Sequence, residues 1–163
     1  MARPGFESAV TLSVFDRLID REPRNSKEAA LTRAQSVHHL KESVRRDLEW
    51  LLNTRLVAVR PDERLREVNR SVYVYGLPDF TAYSLSNPDD QNRLIRQLQS
   101  AIKTFEPRLA KVRVVPLGVA AANTRVLRFR IEALLSMDPA PEHISFDTTL
   151  QLTSGEYEVV SAR

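Results

Sequence analysis

The 163-residue chain contains no cysteine. That absence excludes disulfides, zinc ribbons and thiol nucleophiles, and it fits a reducing compartment. No apolar run is long enough to cross a bilayer, and Met1-Ala2-Arg3-Pro4-Gly5 leads into no hydrophobic signal region. A cytoplasmic location is therefore expected. Histidine is scarce: His38 and His39 are adjacent and fall on different helix faces, and His143 sits in a loop with no companion ligand. No metal site is expected from such a set. A glycine-rich phosphate loop, a nucleophile elbow and a histidine-centred triad are also missing, so no cofactor is expected. Internal repeats and low-complexity runs are absent.

The chain also lacks an excess of one charge. Its 24 basic and 21 acidic residues leave a net +3 despite a pI of about 9.5. A dedicated nucleic-acid binder needs a basic stripe without acidic relief, and this near balance argues against one. Arginine greatly outnumbers lysine. Guanidinium is weakly hydrated and tolerates partial burial, so the bias favours protein interfaces, although genome composition produces the same bias.

What is present reads as one core, since 42% apolar residues suffice for it. Residues 1–25 form an arm with a short helix, and residues 26–163 form a single domain. In the arm, Val14, Phe15, Leu18 and Ile19 recur at helical spacing after Ser13; such an arm folds back on the core or waits for a partner. From Ser26 to Asn53 the pattern is helical, with a candidate break at Gln35-Ser36 and one apolar stripe of Val37, Leu40, Val44, Leu48 and Leu51. Trp50 falls beside that stripe, either covering the core edge or serving as a binding anchor. Asn53 is suited to a left-handed cap. Residues 56–71 are a charged connection with Pro61 as a breaker and a weak helical turn at Leu65 and Val68.

In Ser71–Phe80 aromatic and β-branched residues alternate, and periodicity alone does not separate helix from strand. Gly76 permits a positive φ and Pro78 holds Leu77 extended, a fixed shape that either presents Tyr75 and Phe80 to a partner or plugs the core with them. The next helix has clear limits. Asn87 caps it, Pro88 takes its first position, Asp89 and Asp90 face the positive end of its dipole, and Leu94, Ile95, Leu98, Ile102 and Phe105 form its stripe. Pro107 ends it at Phe105.

The chain leaves that helix extended, so Glu106 and Arg108 share one face while Pro107 points away. An acceptor-only carboxylate beside a planar five-donor guanidinium suits rigid docking better than turnover. The plainer reading is a surface ion pair contributing about 0–1 kcal/mol.

Beyond the junction the period becomes two. Val112, Val114 and Pro116 oppose Lys111, Arg113 and Val115. After a loop at 118–123, Leu127, Phe129, Ile131, Ala133 and Leu135 share one face and Arg128, Arg130 and Glu132 the other. Past Asp138-Pro139-Ala140-Pro141 a second hairpin turns Ile144, Phe146, Thr148, Leu150, Leu152, Tyr157 and Val159 inward and Asp147, Glu156 and Glu158 outward. The basic outer face of the first hairpin is thus offset by the acidic outer face of the second, which is cross-strand pairing and not a phosphate groove. The fold class is α+β: two main helices packed on an antiparallel sheet of about four strands, with a short N-terminal helical arm.

Two other functions compete with docking. Asp16, Asp79, Glu106 and Glu132 sit in partly apolar context, as a lysozyme-like peptidoglycan hydrolase requires, but that chemistry needs a protonated acid opposite a second carboxylate. Arg108 beside Glu106 favours the charged form, the wrong state for a general acid. A generic basic adaptor or nucleic-acid module would use Arg113, Arg128 and Arg130, and salt-dependent duplex binding would reveal it.

Four stretches carry a resemblance: Leu12–Leu18, Ser43–Arg55, Tyr75-Gly76-Leu77-Pro78-Asp79-Phe80 and Phe105-Glu106-Pro107-Arg108-Leu109. In them the sequence resembles the TssE family, the baseplate wedge component of bacterial type VI secretion, related to the wedge protein of contractile-tailed phages. The C-terminal strands match in pattern more than in wording. The resemblance implies a non-catalytic structural subunit held with the wedge proteins TssF and TssG, linked through them to TssK, and seeding the contractile sheath of TssB and TssC. It implies an assembly role for Glu106, Pro107 and Arg108.

Overall fold

A computed structural model describes residues 10–19, 24, 31–57, 59, 61–84, 86–119, 126–151 and 154–161. The chain divides into two compact units, Met1–Val44 and Arg45–Arg163.

In the first unit, helix α1 (Val14–Leu18) starts at Ser13, whose hydroxyl accepts from the Asp16 amide at 3.1 Å. Helix α2 (Arg33–Asn53) begins here and continues into the second unit. Its start is a reciprocal cap: Thr32 Oγ1 accepts from the Gln35 amide at 3.3 Å, and Gln35 Oε1 accepts from the Thr32 amide at 2.9 Å. The break anticipated at Gln35-Ser36 is therefore corrected, because Gln35 closes the first turn. Residues 26–30, also read as helical, lie outside the described residues. The arm is tied to this helix, since Ser43 Oγ donates to Asp16 Oδ2 at 2.7 Å and the Val10 amide donates to Ser36 Oγ at 3.0 Å. Ser36 and Ser43 are buried, whereas α1 itself buries no residue.

The second unit is the α+β body read from the sequence. Helix α3 (Pro88–Phe105) has the expected cap, with Asn87 Oδ1 accepting from the Asp89 amide at 3.0 Å, and it buries Leu94, Leu98 and Ile102. Four strands, β1 (Leu109–Val119), β2 (Val126–Leu135), β3 (Glu142–Gln151) and β4 (Glu156–Ser161), form an antiparallel sheet in the order β1-β2-β3-β4. The inner face carries Leu127, Phe129, Ile131, Ala133 and Leu135 of β2, Ile144, Phe146, Thr148 and Leu150 of β3, and Tyr157 and Val159 of β4, all buried. Leu48, Leu51 and Leu52 of α2 and Leu94, Leu98 and Ile102 of α3 complete this core. Each fully buried leucine or phenylalanine contributes about 1.5–3 kcal/mol. Leu152 lies outside the described residues.

Four details differ from the sequence reading, the first being that His143, placed in a loop, lies in β3 and pairs with Leu134. The loop placed at Gly118 starts later, because Gly118 and Val119 pair with Arg128 and Leu127. Strand β1 loses strict alternation at register shifts between Ala110 and Arg113 and between Pro116 and Gly118, the first holding Lys111 at φ 52. Extra residues of this kind bend an edge strand. Asn53 takes no left-handed cap. It stays helical, and its amide donates to the Tyr157 carbonyl and accepts from the Tyr157 amide, both at 2.9 Å. Its side chain thereby matches the outward edge of β4 as a paired peptide would, and Arg45 Nη1 adds a bond to the Val159 carbonyl at 3.3 Å.

The ambiguous Ser71–Phe80 stretch is neither strand nor α-helix at its start but follows two 3-10 turns, Val68–Arg70 and Val72–Val74. Leu77 then bridges to the end of α2: its amide donates to the Thr54 carbonyl and its carbonyl accepts from the Leu56 amide, both at 2.8 Å. Gly76 is required there, since it has φ +109 and a Cβ would lie 2.4 Å from the Thr54 carbonyl oxygen. Among the described residues, no helix is long and apolar enough to cross a membrane.

Candidate functional site at the helix-to-sheet junction

Glu106 closes α3, its amide donating to the Ile102 carbonyl at 2.8 Å. Two residues later the Arg108 carbonyl accepts from the Ser136 amide at 2.8 Å, which fixes the chain against the end of β2. Pro107 is exposed between them. The backbone is thus held on both sides of the proline, and the side chains of Glu106 and Arg108 meet as the two-residue spacing requires.

The pair is forked. Arg108 Nε donates to Glu106 Oε1 at 2.6 Å, and Arg108 Nη2 donates to Glu106 Oε2. The same Nη2 also donates to Asp47 Oδ2 at 2.6 Å. Asp47 Oδ1 in turn accepts Nε and Nη2 of Arg46 at 3.1 and 2.9 Å. Two carboxylates and two guanidiniums therefore alternate in a chain from Glu106 to Arg46. Exposure grades along it: the Glu106 side chain is 5% exposed and those of Arg108 and Asp47 are 24% and 28%. This is not a surface ion pair, because one partner is buried and every bond is charge-assisted.

Burial by itself would lower the pKa of Arg108, but hydrogen bonds to Glu106 and its charge, then those of Asp47, outweigh burial and raise it. Arg108 is locked in its charged form. Tyr75 lies within the same field: burial, then the charges of Asp47 and Glu106, raises its pKa. Its ring meets Phe105 edge to face, with centroids 5.2 Å apart. Four of the named positions, Tyr75, Glu106, Pro107 and Arg108, therefore gather around the end of α3. Phe80 is only 5% exposed and packs edge to face on Tyr83 at 5.2 Å, so it plugs the core.

Sequence reasoning missed Asp47. It sits on α2, 61 residues before Arg108, next to Leu48 of the apolar stripe. A carboxylate flanking that stripe lies at the core margin, and this was the available signal. Of the other acids weighed for hydrolysis, Asp79 is exposed and its pKa is lowered, chiefly by the Thr81 amide and then by the Thr81 side chain, with Arg55 adding to them. That direction opposes a general-acid role. Glu132 is an exposed residue of β2 facing Arg113 across the β1–β2 pair. Asp16 is engaged by Ser13 and Ser43.

The second unit is thus a small α+β body whose charged cluster at the helix-to-sheet junction is a chain of arginine–carboxylate bonds. Residues 38–140 match the model of the family described as baseplate wedge protein gp25, a span that includes Asp47, Tyr75 and the whole Glu106–Arg108 junction. The chain belongs to this family of structural baseplate components. No curated protein and no solved structure matches it.

Proposed function

We propose that this chain is the wedge subunit of a type VI secretion baseplate, non-catalytic and cytoplasmic, which docks TssF and TssG through the junction and reaches TssK through them. The observation that carries the reading is the Arg108 guanidinium held by Glu106 and Asp47 at the exposed Pro107 bend. A guanidinium already fixed by two carboxylates needs no reordering on docking, and preorganisation of that kind converts contact into affinity. Tyr75 supports the cluster from the α3 side, and Phe80 holds the Leu77–Phe80 loop from within.

Seeding of the TssB–TssC sheath is assigned to the sheet edge, where an extended segment adds by backbone hydrogen bonds. The outward groups of β4 at Tyr157 and Val159 are engaged by Asn53 and Arg45. That leaves the regular Arg113–Pro116 stretch of β1 as the proposed meeting edge.

Co-expression with TssF and TssG tests the docking role. Arg108→Lys keeps the charge beside buried Glu106 but loses the fork, so it is expected to fold and to lose most co-purification. Undiminished co-purification of Arg108→Lys would leave the junction a purely internal device.

A further inference from the structure

Strand register orders the outward face of the sheet into rows. One row reads Val115, Arg130, Asp147 and Val160 across β1, β2, β3 and β4. The next row carries Arg128 on β2, Thr149 on β3 and Glu158 on β4. These positions alternate with the buried inner set; Arg128 and Glu158 are exposed, and Val160 is 52% exposed. The offset of a basic first hairpin by an acidic second one, expected from the sequence, is made between Arg130 and Asp147. Arg128 and Glu158 stand two strands apart, about 10 Å at ordinary strand spacing, and close no ion pair among the described residues. The face is thereby split. Its β1–β2 half carries Arg113, Arg128 and Arg130 against Glu132, while β3 and β4 carry Asp147, Glu156 and Glu158 with no lysine or arginine.

We propose that this face pairs with the same face of a second copy of the chain, about a two-fold axis parallel to the strands between β2 and β3. That rotation sets β1 of one copy over β4 of the other and β2 over β3. The Val115 row is complementary to its own reverse: Val115 meets Val160 of the second copy, and Arg130 meets its Asp147. Arg128 falls over Thr149 of the second copy, one strand from its Glu158. Every contact occurs twice, as a two-fold interface requires. An in-plane axis across the strands would instead set arginine over arginine, and like charges so placed repel. The split of charge also selects the occupant. A uniformly acidic partner would meet the β3–β4 half unfavourably and a basic one the β1–β2 half, whereas the chain's own face opposes both. Strand spacing and rise give the face on the order of 600 Å² per copy, the lower limit for a specific pair, so the dimer is weak, with Kd on the order of 0.1 mM. The pairing uses neither the junction nor the backbone edge of β1, and it does not rest on the function proposed above.

Sedimentation equilibrium of the full chain from about 0.01 to 1 mM tests the pairing, since that range spans the expected Kd. The weight-average mass should rise from 18.6 kDa towards twice that value. It should fall back in about 1 M salt, where screening shortens the reach of exposed charges to about 3 Å. Arg128→Glu puts an acid in the basic half, and Glu158→Arg puts a cation in the acidic half. Each variant alone is expected to weaken self-association by about tenfold or more with an unchanged Tm, because both positions are exposed. An equimolar mixture of the two should restore it, since each swapped charge then meets its opposite on the other chain. A mass that stays at 18.6 kDa across the range overturns the pairing. So does a dimer that persists in salt, or wild-type self-association by both single variants. A mixture that stays monomeric overturns the two-fold arrangement.

Discussion

Two forked arginine–carboxylate pairs in this chain share their chemistry and differ in their surroundings. At the junction Arg108 grips Glu106, whose side chain is 5% exposed. On the outer sheet face Arg130 grips Asp147 directly across the β2–β3 pair, Nε to Oδ1 at 2.7 Å and Nη2 to Oδ2 at 3.2 Å, with side chains 39% and 44% exposed. The hydrogen bonds to Asp147 raise the pKa of Arg130 as those to Glu106 raise that of Arg108. Geometry alone does not separate the two pairs. Water does: on the sheet face it solvates either partner left alone, and at the junction it cannot reach Glu106.

The largest effect should come from removing the junction cation. Arg108→Ala leaves Glu106 charged and buried, at a cost of about 3–5 kcal/mol in urea denaturation. A loss no larger than that of Arg130→Ala would break the comparison. Glu106→Gln combined with Arg108→Met sharpens it, because removing both charges should recover most of that loss. Continued instability of the double variant would point to lost packing in place of lost charge.

The loop that sets Tyr75 beside the cluster gives the next effect. Gly76→Ala forces a Cβ onto the Thr54 carbonyl at a positive φ and should cost about 2–3 kcal/mol. Hydrogen exchange at the Leu77 and Leu56 amides would report the loosened bridge, and unchanged protection would count against it.

A smaller effect concerns pH. Burial raises the pKa of Tyr157, as it does first for Tyr75. The unfolded chain therefore loses these phenolic protons first, near pH 10. The stability tied to them is complete below that value and falls as pH rises beyond it. The Tyr157 hydroxyl is buried and has no hydrogen-bond partner among the described residues. Tyr157→Phe should raise stability by up to about 1 kcal/mol and flatten the alkaline decline. A loss of stability at neutral pH would reveal a partner for that hydroxyl.

Smallest of all, Arg130→Ala should leave the denaturation midpoint unchanged within error, because both partners of that pair face solvent.

Local chemistry was legible in the sequence wherever a residue acts on its near neighbours. Asn87 and Pro88 set the start of α3, Pro107 its end, and the two-residue spacing of Glu106 and Arg108 their shared face. The alternation in β2 and β3 gave their inner faces residue by residue. What escaped depended on distant partners. Asn53 ends α2 as read, but the pairing of its side-chain amide with β4, in place of a left-handed cap, depends on a strand 104 residues away. Asp47 is one more helix-surface acid until Arg108 reaches it. Gln35 and Ser36 resemble a break because polar residues interrupt the stripe, and only the Thr32–Gln35 exchange marks them as a beginning. The 3-10 turn Val72–Val74 was hidden because β-branched and aromatic residues are compatible with several backbones.

The central claim is that the fork at Arg108, and not charge at that position, makes the docking surface. Affinity of the purified TssF–TssG complex for Arg108→Lys, measured beside Arg130→Lys, tests it most directly. The account predicts severe loss for the first and wild-type affinity for the second; equal affinities in the two variants would contradict it.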